Sequence, residues 1–221
     1  MPTPTQIFVP GFAARCDAYA AGLPEGWTPV QPPLAEGGGS VRALTSWLIG
    51  ELERRPGPAL VAGHSMGGAL AVLAAAERPE LVSGLILIAP AGLPLAKPVP
   101  ACVRDFLVQL ARGTHRVRHV LASALELARD PRATRRLIGE LRQLDLSLEL
   151  RRLRRRGMPA AVVGCPEDTL VTQEHCRRVA SLLGARYREV VSASGHVWPV
   201  STPAVLGRTL RPCVLGRRTL T

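Results

Sequence analysis

Short runs of apolar and β-branched residues alternate along the chain with segments of helical length, and this alternation restricts the fold more than any other feature. Several runs lack polar residues at alternate positions, which is typical of strands covered on both faces. The pattern predicts an α/β fold, a parallel sheet with helices on both faces. The expected strands are Ile7–Val9, Thr28–Gln31, Ala59–Ala62, Leu85–Ala89, Ala160–Gly164 and Tyr187–Val191. The expected helices are Val41–Arg54, Met66–Ala76, Gln173–Leu183 and Thr202–Leu210.

The stretch from about Leu95 to Arg156 departs from this alternation. It carries leucine, alanine and arginine at helical spacing and contains no convincing strand. A chain of 221 residues suits a single α/β domain. We therefore interpret residues 1–221 as one domain and residues 95–156 as a helical cap between two strands, whose leucines and alanines would form an apolar roof over a binding site.

The net charge of +11 comes almost entirely from arginine, because Lys97 is the only lysine. Such a charge would attract nucleic acid, but no zinc-finger, helix-turn-helix or aromatic–basic RNA pattern accompanies it, so no nucleic-acid partner is expected. The five cysteines are widely separated and form no CxxC pair, so neither disulfides nor a metal site are predicted. No secretory signal and no apolar stretch of about 20 residues is present, so we expect a cytoplasmic protein without a membrane span.

The hexapeptide Gly-His-Ser-Met-Gly-Gly at residues 63–68 directly follows one expected strand and opens the next helix. It contains Gly-x-Ser-x-Gly in the strand–turn–helix setting that holds a serine in a strained turn with its hydroxyl projecting. Ser65 is therefore the candidate nucleophile. Side chains at Gly63 or Gly67 would collide with a neighbouring helix or strand. A phosphate-binding loop is the alternative, but it would want a lysine before the serine, so no cofactor is expected.

A serine hydroxyl is a poor nucleophile without a base, and the base needs a carboxylate to hold its tautomer. His196 lies between the last expected strand and the last expected helix. Asp168 follows the strand Ala160–Gly164, with Glu167 as its rival. We prefer Asp168 for its shorter side chain and the Thr-Leu-Val after it, and a turn or capping role is its alternative. The other histidines outside the hexapeptide are expected at surface or lid positions: His115, His119 and His175.

Two backbone amides are candidates for an oxyanion hole. The amide of Met66 would lie at the amino terminus of a helix, where a developing negative charge is stabilised. The amide of Phe12 would come from the loop after the first strand, where Gly11 lets the backbone approach a substrate. A type II turn with Pro10 at its second position is a compatible structural interpretation.

Together these residues resemble the α/β-hydrolase family, and within it small esterases and lipase-like hydrolases with a Gly-His-Ser-Met-Gly-Gly elbow. The order serine, acid, histidine is also the family's order. The resemblance covers nearly the whole chain. It implies a mostly parallel sheet with a small helical cap, and hydrolysis of esters or thioesters through an acyl-enzyme. The family's first two strands are missing because Ile7–Val9 corresponds to its third, so about six strands are expected, and the family's His-Gly is Pro10-Gly11 here.

A dense run of arginines ends the expected cap. A solvated charged face explains it, and the alternative is a docking site for an anionic carrier such as acyl carrier protein or coenzyme A. The second interpretation would resemble the pimeloyl-carrier-protein methyl esterases. A non-catalytic hydrolase-like binding protein and a cofactor-free perhydrolase or haloperoxidase with the same triad stay open as functions. The arginines are Arg151, Arg152, Arg154, Arg155 and Arg156.

Overall fold

The fold is known from a computed structural model, which describes residues 5–34, 39–113, 125 and 128–211. Its strands are β1 (Gln6–Val9), β2 (Trp27–Pro29), β3 (Ala59–His64), β4 (Val82–Ile88), β5 (Ala160–Gly164) and β6 (Arg186–Glu189). They form one six-stranded sheet in the order β2-β1-β3-β4-β5-β6, and every neighbouring pair is parallel. The predicted parallel sheet of about six strands is confirmed.

Strand β4 begins three residues before the expected Leu85. Ala59 pairs with Val82 and Leu60 pairs with Gly84, so Ser83 is the extra residue of a bulge. Ser83 is exposed while its neighbours in the strand are buried. The polar Ser-Gly pair reads as a loop in the sequence, because a bulge and a strand end share the same residue types.

Helices cover both faces of the sheet, as expected. On one face lie α2 (Val41–Glu53), α3 (Met66–Glu77), α6 (Ser147–Arg155) and α7 (Gln173–Leu183), and their apolar residues form one cluster with the inward residues of the strands. The other face carries the shorter helices α1 (Cys16–Tyr19), α8 (Trp198–Ser201) and α9 (Pro203–Thr209). Both faces of the central strands are therefore buried, which explains their lack of polar alternation.

Side-chain caps fix where several helices begin. The Ser40 hydroxyl accepts from the amide of Ala43 at the start of α2. Thr172 accepts from the amide of His175 at the start of α7, which ends at left-handed Gly184. Such caps satisfy amides that have no partner inside the helix.

Between β4 and β5 the described residues include three helices with defined bounds and no strand: α4 (Val99–Gly113), α5 (Pro131–Gln143) and α6. Asp130 caps α5 by accepting from two amides, with Pro131 as its first residue. The last of the three, α6, packs against α3 and α7 on the face of the sheet. The domain bounds and the extent of the cap stay predictions. Within the described ranges, no helix is long and apolar enough to cross a membrane.

Candidate active site

Ser65 lies between the last residue of β3 and the first residue of α3. Its φ of 51° and ψ of −115° are a conformation that residues with a side chain rarely adopt. Hydrogen bonds with the chain after β4 hold it there. The amide of Ser65 donates to Ile88 O at 2.9 Å, and Ser65 O accepts from the amide of Ala91 at 3.0 Å. The end of the neighbouring strand β4 therefore holds Ser65 in the strained strand–turn–helix conformation that the sequence predicts.

The glycines of the elbow stand where no side chain fits. A Cβ at Gly63 would lie 2.3 Å from Gly67 O. A Cβ at Gly67 would lie 2.2 Å from Val9 O, at the end of β1. The collisions predicted from the sequence are found, and their partners are the backbone of α3 and of the loop after β1.

Asp168 and His196 meet below the surface, and each is 2% exposed. Asp168 Oδ2 is 2.7 Å from His196 Nδ1. The other carboxylate oxygen, Oδ1, accepts from the amides of Leu170 at 2.8 Å and Val171 at 2.9 Å. The turn interpretation of Asp168 and its contact with His196 are thus both found, on different oxygens.

The rival carboxylate, Glu167, lies on the exposed side of the same loop. It accepts from Cys165 Sγ at 3.2 Å and from the amide of Ser192 at 3.3 Å. Its hydrogen bonds therefore brace the loop, and the structure places Asp168, rather than Glu167, against the imidazole.

Ser65 and His196 line one cavity of about 380 Å³. No hydrogen bond joins the two side chains in the described structure. Opposite them, α4 and α5 contribute mainly apolar side chains. A volume in this range and an apolar lining are typical of small-molecule sites. The lining from these two helices is Cys102, Val103, Phe106, Leu107, Leu110, Thr134, Ile138, Leu141 and Arg142.

The loop after β1 approaches the serine closely. A Cβ at Gly11 would lie 3.4 Å from Ser65 Cβ and 2.9 Å from His64 Nδ1. The turn here runs from Gly11 to Ala14, whose amide donates to Gly11 O at 3.2 Å, and Ala13 takes the positive φ of 57°. The alternative turn centred on Pro10 is therefore wrong, because the backbone closes two residues later. Within the described residues, the amides of Phe12 and Met66 donate to no acceptor of the protein, so both are free for a ligand.

Tyr19 and His64 connect the loop after β1 to His196, and neither contact was predicted from the sequence. Tyr19 Oη is 2.8 Å from His64 Nδ1 and accepts from the amide of Gly11 at 3.4 Å. His64 Nε2 is 3.0 Å from His196 O. A carbonyl only accepts, so the proton of His64 lies on Nε2, and Nδ1 accepts from Tyr19. Burial lowers the pKa of His64 well below its ordinary value, and the electrostatic influence of the nearby His196 imidazole lowers it further.

Gln109 of α4 connects the cap to the loops of the acid and the base. Its Oε1 accepts from the amide of His196 at 2.5 Å, and its Nε2 donates to Thr169 Oγ1 at 3.0 Å. A Cβ at Gly195, whose φ is +52°, would lie 2.0 Å from Gln109 Oε1. Lys97, the only lysine, donates to Thr169 O and to Asp105 Oδ2, both at 2.6 Å. One glutamine on an amphipathic helix gave no signal of these contacts in the sequence.

Of the remaining histidines, His115 and His119 lie outside the described residues. His175 lies on α7 and is half-buried, with a buried Nε2 that lacks a hydrogen-bond partner. Burial is also the main cause that lowers the pKa of His175. The expected surface or lid position is therefore wrong for His175, since its helix packs on the sheet.

The arginines of the predicted carrier site are all exposed. None is among the described residues that line the cavity. Arg154 donates to Ser181 O at 3.1 Å, at the end of α7. Arg156 precedes the start of β5 by four residues, whereas Ser65 lies at the carboxyl end of its strand. Carrier binding by Arg151, Arg152, Arg154, Arg155 and Arg156 stays a prediction.

Comparisons with known proteins agree with the fold. Monoglyceride lipase of Rattus norvegicus is 59% identical over 44 residues, which is 20% of this chain and 14% of that lipase. A hydrolase from Oleispira antarctica is 13% identical and superimposes with a TM-score of 0.75 over 98% of this chain and 93% of its own. The thioesterase domain from the curacin biosynthetic pathway is 20% identical, with a TM-score of 0.67 over 94% of this chain and 90% of its own. At such identities the two structures show likeness of fold.

The family comparison covers most of the chain. A family model described as "Alpha/beta hydrolase family" matches residues 6–208. The observed strand order, the strained serine after β3 and the buried acid and histidine after β5 and β6 are in keeping with this match. The chain therefore belongs to the α/β-hydrolase family.

Proposed function

We propose that this hydrolase cleaves carboxylic esters or thioesters through an acyl-enzyme, with Ser65 as the nucleophile. His196 is the general base, and Asp168 orients it. The observation that carries this proposal is the buried 2.7 Å contact between Asp168 Oδ2 and His196 Nδ1, beside a cavity that Ser65 also lines. Strain at the serine and free amides at Phe12 and Met66 support the same assignment.

The contact with Asp168 decides which nitrogen of His196 acts on the serine. A carboxylate accepts, so the proton of neutral His196 lies on Nδ1 and the lone pair lies on Nε2. Nε2 takes the proton of Ser65 Oγ as this oxygen attacks the acyl carbonyl carbon. The described residues show no hydrogen bond between these two groups, and catalytic contacts of this kind often tighten only in the complex with substrate.

The tetrahedral intermediate then carries negative charge on the former carbonyl oxygen. The amides of Phe12 and Met66 donate to it, and the amino terminus of α3 adds a favourable dipole. His196 returns the proton to the leaving alcohol or thiol, which leaves the acyl group on Ser65. Water repeats the cycle with the same base and releases the acid.

The apolar walls from α4 and α5 favour a substrate with an acyl chain or an apolar alcohol group. The names of two similar proteins, a monoglyceride lipase and a thioesterase, agree with acyl transfer. A cytoplasmic location and the lack of a nucleic-acid partner stay predictions from the sequence.

The test is labelling by a fluorophosphonate probe, together with turnover of p-nitrophenyl esters from acetate to palmitate and of acyl-coenzyme A thioesters. Wild type should be labelled and should hydrolyse part of this panel, whereas Ser65→Ala should do neither while keeping its fold. The control is Ser83→Ala, which removes an exposed serine in the bulge of β4 and should behave as wild type.

Three results would overturn the proposal. Undiminished turnover by Ser65→Ala would exclude this serine as nucleophile. A wild-type protein that is neither labelled nor active would favour the non-catalytic binding protein. Labelling with halogenation in the presence of peroxide, but without ester hydrolysis, would favour the perhydrolase or haloperoxidase.

A further inference from the structure

Two charged side chains interrupt the apolar lining of the cavity, Arg15 and Arg142. Arg142 lies in the last turn of α5, next to Leu141, which also lines the cavity. Its backbone carbonyl accepts from the amide of Leu95, a further lining residue, at 2.9 Å. The main chain at Arg142 is therefore fixed against the segment that leads into the cap.

The guanidinium of Arg142 lacks the partner that a charged group in such a place normally has. Its Nε is buried and makes no hydrogen bond. No carboxylate of a described residue forms an ion pair with it. The carboxylate of Asp105 on α4 is already bound by Lys97 at 2.6 Å and Arg104 at 3.1 Å. The Arg142 side chain is half-buried, a guanidinium stays ionised, and charges withdrawn from water are as a rule paired.

Two other arginines, by comparison, each have a carboxylate close to the guanidinium. Arg15, at the same cavity, has its Nε 3.5 Å from Asp17 Oδ1. Arg55 also has a buried Nε without a hydrogen bond, but its Nη2 is 3.6 Å from Glu51 Oε2. Arg142 is thus left with its charge unmatched by the described residues, at the wall of the cavity that holds Ser65.

We propose that Arg142 binds an anionic group of the substrate. The inference rests on the proposed function, because Arg142 and Ser65 line the same cavity. The preferred substrate is then an amphiphile, an apolar chain that bears one carboxylate or phosphate at a distance from its ester or thioester. A guanidinium pairs with either anion through two parallel hydrogen bonds, and the apolar surroundings strengthen the pairing.

The experiment compares phenyl esters with and without an anionic group. The neutral reference is p-nitrophenyl hexanoate. The anionic esters are p-nitrophenyl adipate monoester and p-nitrophenyl 6-phosphooxyhexanoate, which carry the anion on the acyl chain, and carboxyphenyl hexanoate, which carries it on the alcohol side. For wild type, at least one anionic ester should have the higher kcat/KM, and the identity of that ester assigns the anion and its side of the scissile bond.

Arg142→Gln removes the charge but keeps most of the side chain. It should lower kcat/KM for the preferred anionic ester by about 10- to 100-fold, the range of one charge-assisted hydrogen bond, and leave the neutral ester within about threefold. The control is Arg15→Gln, which removes a second charge from the same cavity. Because Asp17 already pairs with Arg15, this variant should keep the preference for the anionic ester.

A binding measurement separates this inference from the proposed function. Calorimetry on Ser65→Ala with adipate monomethyl ester and with methyl hexanoate should show tighter binding of the anion, and Arg142→Gln in this background should remove the difference. Anion binding through Arg142 without any turnover would support the inference and contradict only the proposed function. Turnover with equal kcat/KM for neutral and anionic esters, or an equal loss for both in Arg142→Gln, would overturn the inference alone.

Discussion

Gln109→Leu tests whether the cap holds the base in place. Gln109 is 2% exposed, and its Oε1 accepts from the amide of His196 at 2.5 Å. Leucine preserves the size of the side chain but leaves this buried amide without an acceptor. A buried unpaired donor costs about 1–3 kcal/mol of unfolding free energy. For a chain of this length, that is a fall in melting temperature of about 2–12 °C.

The same substitution should lower kcat. Without its acceptor, the amide of His196 should move to another hydrogen-bond partner and displace the residue. A shift of about 1 Å in a catalytic group can lower the rate about 100-fold. Urea unfolding followed by tryptophan fluorescence measures the stability, and p-nitrophenyl ester kinetics measure kcat.

Thr169→Val is the matched control. It removes only the hydroxyl that Gln109 Nε2 contacts, on a residue that is exposed. We expect less than about 0.5 kcal/mol from this change, the usual range for surface substitutions. If Gln109→Leu also unfolds within about 0.5 kcal/mol of wild type and keeps its kcat, the cap does not support the base and the reasoning is refuted.

Two further predictions concern the acid and the elbow histidine. Asp168→Asn should lower kcat by about 10,000-fold, since the amide would favour the wrong tautomer of His196, whereas Glu167→Gln should stay within a few-fold in the same ester assay. Burial holds the pKa of His64 well below its ordinary 6.5. Below about pH 6.5, His64 therefore binds a proton in the unfolded chain but not in the folded chain. The unfolding free energy should therefore fall as pH drops through this range, by at most about 1.4 kcal/mol per pH unit for this group, and His64→Gln should show a shallower fall in urea titrations.

Each of these two predictions has a result that contradicts it. A larger loss of kcat in Glu167→Gln than in Asp168→Asn would assign the acid to the exposed carboxylate. The same slope of unfolding free energy against pH in wild type and His64→Gln would mean that His64 is protonated equally in both states.

The sheet and the elbow could be predicted because their signals are local. Five of the six strands begin and end within two residues of their expected bounds, and three of these, β1, β3 and β5, were expected from continuous apolar runs. Gly63 and Gly67 are fixed by the geometry of one turn, so their spacing alone carries the prediction. The exception, β4, begins three residues before its expected start, because the polar bulge at Ser83 inside the strand has the composition of a loop.

The contacts around the base could not be predicted, because they join residues far apart in the chain. Tyr19 is 45 positions from His64, and Gln109 is 87 positions from His196. A lone tyrosine in a short helix, or one glutamine on an amphipathic helix, carries no periodicity that points to a partner. The position of Arg142 at the cavity could not be predicted for another reason. The net charge of +11 comes mostly from arginine, so no single arginine stands out in the sequence.

His196 is held at three points by three separate parts of the fold. Asp168, after β5, holds its Nδ1; His64, at the end of β3, holds its carbonyl; and Gln109, on α4, holds its amide. The last two act on the backbone, so they persist whichever way the imidazole turns. The contact of Gln109 ties the backbone of the base directly to α4. The position of the base therefore depends on the cap helix as well as on the acid, and Gln109→Leu measures this dependence.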